Sequence, residues 1–97
     1  MRALRSRRFE REVAAAIRWG RENRGATTTI LYEIERLADD VEQNPAMYAL
    51  AENARTPGLR RAYLPRIGYH VFYTIDETRD EALFLHFRHA KRRPAKL

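Results

Sequence analysis

The side chains in this sequence that could do chemistry are mostly cations, imidazoles and phenols, and they gather in its second half. Arginines can hold negative charge, and histidines can exchange a proton near neutral pH. Phenols add hydrogen bonds and flat surfaces for stacking. The group consists of Arg60, Arg61, Tyr63, Arg66, Tyr69, His70, Tyr73, His86, Arg88, His89, Lys91, Arg92 and Arg93.

Two kinds of activity are open to such a set. The first is metal-independent cleavage of RNA, which needs a base for the 2′-hydroxyl proton, an acid for the leaving group and an arginine on the phosphate. The second is binding without catalysis, either to a nucleic-acid backbone or to an acidic protein segment. The residue types alone leave both activities open.

Other chemistries are excluded by what the sequence lacks. It has no cysteine, and its only serine, Ser6, stands where a helix cap is expected, which argues against a serine hydrolase. Its four glycines are scattered singly, so a phosphate-binding loop is absent. His86 and His89 are three residues apart on a predicted strand, which places them on opposite faces and argues against a metal site. We therefore expect no cofactor and no metal, and we favour binding over catalysis.

Charge is segregated along the chain. The 97 residues carry a net charge of +6, but residues 1–25 hold eight basic and three acidic side chains, while residues 26–56 hold two basic and six acidic ones. Residues 82–97 contain five basic side chains and no acid. Such blocks favour a basic face that meets an anionic partner. No apolar run approaches the ~20 residues that cross a bilayer, so we expect a cytoplasmic protein without a membrane partner.

Two amphipathic helices are predicted to support these residues. From Ser6 to Asn23, apolar side chains recur at three- and four-residue spacing. The second helix begins among Thr27, Thr28 and Thr29 and ends before Pro45, because the residue preceding a proline is pushed out of the helical region. A linker of about four residues predicts an antiparallel helical hairpin.

Strands are predicted to follow the helices. They span Leu59–Leu64, Tyr69–Ile75 and Ala82–His89, and Arg2–Arg5 could add a short edge strand. In the last strand, simple alternation places Leu83, Leu85 and Phe87 together on the face that the helices cover. The prediction is an α+β fold in the order β-α-α-β-β-β, in which an N-terminal antiparallel helical hairpin packs on a three- to four-stranded, mainly antiparallel sheet. Residues 1–97 form a single domain, with a basic tail from about residue 90 to 97.

Three segments follow the two predicted helices: Leu59-Arg60-Arg61, Gly68-Tyr69-His70-Val71-Phe72-Tyr73 and Leu85-His86-Phe87-Arg88-His89-Ala90-Lys91-Arg92-Arg93. This order of elements resembles the ParE/RelE superfamily of toxins from bacterial type II toxin-antitoxin modules, and the resemblance covers nearly the whole chain. Its usual marks are a strand ending in Phe-Tyr, here Phe72-Tyr73, and a final strand that runs from His89 into Arg92. The closing His89-Ala90-Lys91-Arg92 is more similar to the ParE branch.

The resemblance implies a toxin that inhibits DNA gyrase by binding and is neutralised by a ParD-like antitoxin, with which it forms a hetero-oligomer. The RelE branch implies instead a ribosome-dependent mRNA endonuclease, for which Arg61, Arg88 and His89 would be the catalytic set. A non-toxic nucleic-acid-binding module is a third possibility. The residues expected to bind a target or partner are Arg60, Arg61, Arg66, His70, Arg88, His89, Lys91, Arg92 and Arg93.

Overall fold

The fold contains two helices and four strands. The computed structural model describes residues 1–23, 28–91 and 97. Its elements are β1 (Arg2–Arg5), α1 (Arg7–Asn23), α2 (Thr28–Gln43), β2 (Arg60–Leu64), β3 (Tyr69–Asp76) and β4 (Glu81–His89). This order confirms the β-α-α-β-β-β prediction and the α+β class. Two parts of the predictions, Thr27 as a possible start of the second helix and most of the basic tail, lie outside the described residues.

The sheet is mixed, with strand order β1-β4-β3-β2. The three later strands pair antiparallel, as predicted, whereas β1 pairs parallel to β4. The last strand in the sequence therefore lies between the first strand and β3. This arrangement places the start of β3 and the end of β4 beside α1, because α1 begins where β1 leaves the sheet.

Ser6 joins the start of α1 to β4. Its hydroxyl oxygen accepts a hydrogen bond from the Phe9 backbone N–H at 3.0 Å, as an N-cap does. The same hydroxyl donates to the Leu85 carbonyl at 3.3 Å, and the Ser6 N–H donates to the Phe84 carbonyl at 2.9 Å. Ser6 therefore caps α1, as predicted, and also attaches the start of this helix to β4.

The core lies between the helical hairpin and one face of the sheet. Phe9 of α1 is fully buried, and its ring contacts those of Phe84 and Phe87 at centroid distances of 5.5 and 5.8 Å. Val71 and Tyr73 of β3 lie on the same face of the sheet and are also fully buried. Helix α2 contributes Ile30, Ile34, Leu37 and Val41.

A β-bulge in β4 changes which side chains face the core. Phe72 pairs with His86 and Tyr73 pairs with Phe84, which leaves Leu85 as an extra residue. The expectation that Leu83, Leu85 and Phe87 share the covered face is therefore wrong. Phe84 and Phe87 both face the core, at 0% and 3% exposure, because the extra residue reverses the alternation between them.

The segment between α2 and β2 is attached to the sheet by side chains. The Tyr73 hydroxyl donates to the Pro45 carbonyl at 2.6 Å, and the Arg60 Nη1 donates to the Tyr48 carbonyl at 2.7 Å. Leu50 forms an isolated antiparallel bridge with Arg60. These contacts cover the beginning of β2, so Arg60 supports the fold.

Candidate functional site

Six side chains form two rows of three across the sheet face that points away from the helices, and we call them the outer-face cluster. The strand register places Tyr63 opposite His70, and His70 opposite Arg88. The cluster consists of Arg61 and Tyr63 from β2, His70 and Phe72 from β3, and His86 and Arg88 from β4. Alternation along β2 and β3, and the bulge in β4, put all six on one face.

The rings of this cluster contact one another in sequence. Tyr63 and His70 have centroids 5.1 Å apart, His70 and Phe72 are 6.1 Å apart, and Phe72 and His86 are 6.3 Å apart. Tyr63 is 48% exposed, whereas His86 is only 9% exposed. The result is a continuous strip of rings with an arginine beside each of its two middle rings, Arg61 opposite Phe72 and Arg88 opposite His70. Such a strip can stack on a planar group and hold an anion.

Both histidines of the cluster have imidazole pKa values below the ordinary value. For His70, burial is the main cause and the charge of Arg61 adds to it. For His86, burial is again the main cause; the Glu12 carboxylate opposes it, while Arg8 and Arg88 reinforce it. In the described part of the chain, neither Nδ1 atom has a hydrogen-bond partner. Both rings are therefore neutral at pH 7.

Glu12 of α1 holds the end of β4. The Phe87 backbone N–H donates to Glu12 Oε1 at 3.0 Å, and Arg88 Nε lies 3.1 Å from Glu12 Oε2. β1 ends at Arg5, which pairs with Phe84, and within the described residues no strand pairs with this edge of β4 beyond that point. The carboxylate of Glu12 takes the place of a strand carbonyl there and forms an ion pair with Arg88.

A cleft of about 480 Å³, the α1 cleft, lies on the other side of Arg88, between α1 and the ends of β3 and β4. The Tyr69 and Phe87 rings are stacked at 4.3 Å, and His89 meets Tyr69 edge-on at 5.0 Å. Trp19 is 47% exposed. The lining residues are Glu12, Ala15, Ala16, Trp19, Tyr69, Phe87, Arg88 and His89.

The structure separates the residues that the sequence grouped as binding or catalytic. Arg61 and His70 lie on the outer face, and His89 lies in the α1 cleft; Arg88 belongs to the outer face by strand register and also lines the cleft. Of the set considered for RNA cleavage, Arg88 and His89 therefore share the cleft, whereas Arg61 lies apart from it on the outer face. Arg66 and Lys91 are exposed beyond the strand ends, and Arg92 and Arg93 lie outside the described residues.

Three contributors to these surfaces were not among the predicted site residues. His86 belongs to the cluster because the bulge leaves it on the outer face, opposite Phe72. Alternation along the predicted strand already places His86 on the same face as Arg88. Glu12 and Trp19 lie on α1. Their spacing in the sequence indicates only that they lie on the same side of a helix. No feature of the sequence indicates that Glu12 reaches the edge of β4.

Residues 4–94 match the family model described as the ParE toxin of the type II toxin-antitoxin system, parDE. The chain belongs to the ParE toxin family. It is therefore a toxin-family member of the ParE/RelE kind, as the sequence resemblance implied. Among curated protein sequences, none matches the chain.

Solved structures of ParE and RelE toxins have the same fold. The intact E. coli RelBE toxin-antitoxin complex matches with a TM-score of 0.67 at 15% identity, covering 93% of this chain and 96% of that one. The chromosomal ParDE system from P. aeruginosa matches with a TM-score of 0.67 at 16% identity, covering 94% and 97%. The isolated E. coli RelE toxin also gives 0.67 at 15% identity, covering 94% and 85%. At such identities the likeness concerns the fold alone.

Two further observations on this ParE-family chain concern metal ligands and membrane-spanning helices. Within residues 1–23, 28–91 and 97, no three His, Asp or Glu side chains lie together as metal ligands would. Neither helix, over its described length, combines the length and apolar content that crossing a membrane requires.

Proposed function

We propose that this chain is the toxin of a type II toxin-antitoxin module, that it inhibits DNA gyrase by binding, and that a ParD-like antitoxin neutralises it in a hetero-oligomer. The observation that carries the proposal is the match to the ParE toxin family over residues 4–94. The separation of Arg61, on the outer face, from His89, in the α1 cleft, also favours binding over catalysis.

Purified protein tests this proposal directly. We expect it to inhibit DNA supercoiling by gyrase and to increase the amount of cleaved DNA trapped on the enzyme. Expression should arrest growth, and co-expression of the product of the neighbouring reading frame should restore it. Unchanged supercoiling together with no trapped DNA would contradict the proposal.

A second candidate is a ribosome-dependent mRNA endonuclease. One observation favours it: the outer-face cluster brings two neutral imidazoles close to arginines, His70 to Arg61 and Arg88, and His86 to Arg88. A neutral imidazole can accept a proton, and arginine can stabilise a phosphate. Transcripts in a translating extract would then be cleaved, and Arg88→Ala would abolish the cleavage. Intact transcripts would exclude this candidate.

The third candidate function is a non-toxic nucleic-acid-binding module, which the salt dependence of DNA binding would distinguish. Its DNA affinity would fall steeply with salt concentration, since each neutralised phosphate releases counterions. It would also leave growth unaffected. Growth arrest upon expression separates the two toxin candidates from this third one.

A further inference from the structure

A single carboxylate attaches the end of β4 to helix α1. Glu12 Oε1 accepts a hydrogen bond from the Phe87 backbone N–H at 3.0 Å, and Glu12 Oε2 lies 3.1 Å from Arg88 Nε. A second link joins the start of α1 to an earlier part of β4, where the Ser6 N–H donates to the Phe84 carbonyl at 2.9 Å. Because each link contains its own backbone N–H, the opening of one can be measured apart from the other.

His86 lies on β4 between these two links and is almost fully buried. The charged groups that act on its ring are two arginines and one carboxylate: Arg8 and Glu12 from α1, and Arg88 from β4. Glu12 already forms an ion pair with Arg88. A proton on the His86 ring would therefore add a cation that no further carboxylate of this group balances.

The other strands supply no compensating negative charge to His86 within the described residues. β3 places the uncharged ring of Phe72 opposite it, edge-on at 6.3 Å, and carries His70 further along the same face. β2 places Arg61 beside Phe72, and β1 ends at Arg5. In the described part of the chain, His86 Nδ1 has no hydrogen-bond partner. A protonated ring is thus unfavourable here unless it reaches water or takes over the carboxylate of α1.

We propose that His86 is a pH switch at the end of β4: when its ring takes up a proton, Glu12 releases Arg88 and the Phe87 N–H, and residues 86–89 separate from α1 while the rest of the sheet stays folded. Burial already favours the neutral ring. The attached form therefore prevails at pH 7, and release begins as the pH falls below about 6.5. The switch belongs to the chain itself and acts whichever target the toxin binds.

Hydrogen exchange of two backbone amides in the whole chain tests the switch. The Phe87 amide reports the link through Glu12, and the Ser6 amide reports the other link. We expect the protection factor of Phe87, which corrects for the intrinsic pH dependence of exchange, to fall by up to about tenfold between pH 7.5 and pH 5.5. One imidazole with an ordinary pKa in the open form can change the opening equilibrium by no more than this. The protection factor of Ser6 should change far less.

The Arg88 side chain gives a second readout that needs no variant. Its Nε–H resonance reports the ion pair with Glu12. We expect this resonance to shift on acidification with the same midpoint as the ring protons of His86.

Two histidines on one face of the sheet form a matched pair of variants. His70 lies opposite Arg88, but Glu12 is not among the groups that act on its ring. His86→Gln should make the protection of Phe87 independent of pH in this range. His70→Gln should leave the decrease as large as in wild type.

Several outcomes would overturn the proposal. Equal protection of Phe87 at both pH values would do so, as would a decrease that persists in His86→Gln or that His70→Gln abolishes. A parallel decrease at Phe87 and Ser6 would indicate unfolding of the whole sheet rather than release of one link. If His86→Gln does not fold, the wild-type Arg88 resonance decides, because a resonance that does not follow the His86 ring contradicts the release of Arg88.

Discussion

His70 and His86 make stability depend on pH. Burial lowers both imidazole pKa values in the folded chain, while the unfolded chain titrates near the ordinary value of about 6.5. The unfolded state therefore binds more protons as pH falls below about 6.5, and the stabilising contribution is lost as pH falls toward the folded pKa values. We expect the free energy of unfolding in urea to be lower at pH 5.5 than at pH 7.5.

The variant His70→Gln/His86→Gln isolates this effect. Its free energy of unfolding should change less between the two pH values, since each titrating imidazole contributes at most about 1.4 kcal/mol per pH unit. An identical pH dependence in the variant and in wild type would assign the effect to other groups.

Tyr73 and Tyr63 are a contrasting pair on neighbouring strands. Tyr73 is fully buried and its hydroxyl bonds the Pro45 carbonyl at 2.6 Å, whereas Tyr63 is 48% exposed. Tyr73→Phe should lower the free energy of unfolding by about 1 kcal/mol, because the carbonyl loses its donor. Tyr63→Phe should change it by less than about 0.5 kcal/mol. Equal effects in urea denaturation would show that the Tyr73 bond contributes nothing.

At the level of elements, Ser6 connects α1 to the sheet. Ser6→Ala removes the N-cap and the bond to the Leu85 carbonyl, so we expect a loss of about 1 to 2 kcal/mol in the free energy of unfolding. Ser6→Thr retains both hydroxyl bonds and should be close to wild type. A stability of Ser6→Ala equal to that of Ser6→Thr would refute this role.

The sequence predicted the elements well because their signals are local. Apolar spacing, caps and proline locate both helices, and β-branched and aromatic runs locate the strands to within one residue at each end. The parallel pairing of β1 with β4 and the bulge at Leu85 depend on contacts between distant segments. Period-two counting cannot reveal an extra residue inside a strand, and so the face of Phe84 was misassigned.

The candidate site was predicted only in part, for the same reason. Arg61, His70 and Arg88 are brought together because neighbouring strands carry them in register. His89 follows Arg88 directly and its side chain faces the other side of the sheet, because consecutive residues of a strand alternate between faces. Residue type alone does not reveal this separation. Glu12 is separated from Arg88 by most of the chain, so only the packing of α1 against β4 reveals the contact.

At the level of the whole molecule, a fold built from about 100 residues has little stability to spare. Leu37 and Leu31 of α2 make this measurable, because Leu37 is 1% exposed and Leu31 is 45% exposed. Leu37→Ala should cost about 2 to 5 kcal/mol through lost burial and the cavity left behind. Leu31→Ala should cost less than about 0.5 kcal/mol. Equal urea midpoints for the two variants would contradict this assignment of the core.

The position of β4 has a consequence for synthesis of the chain. This strand is the last to leave the ribosome, yet it lies between β1 and β3 and carries Phe84 and Phe87 into the core. Neither sheet face can be completed before it emerges, and the β1–β4 pairing joins segments about 80 residues apart, which slows folding. A nascent chain that lacks β4 therefore has no assembled outer-face cluster or α1 cleft, and these surfaces form only after β4 has emerged.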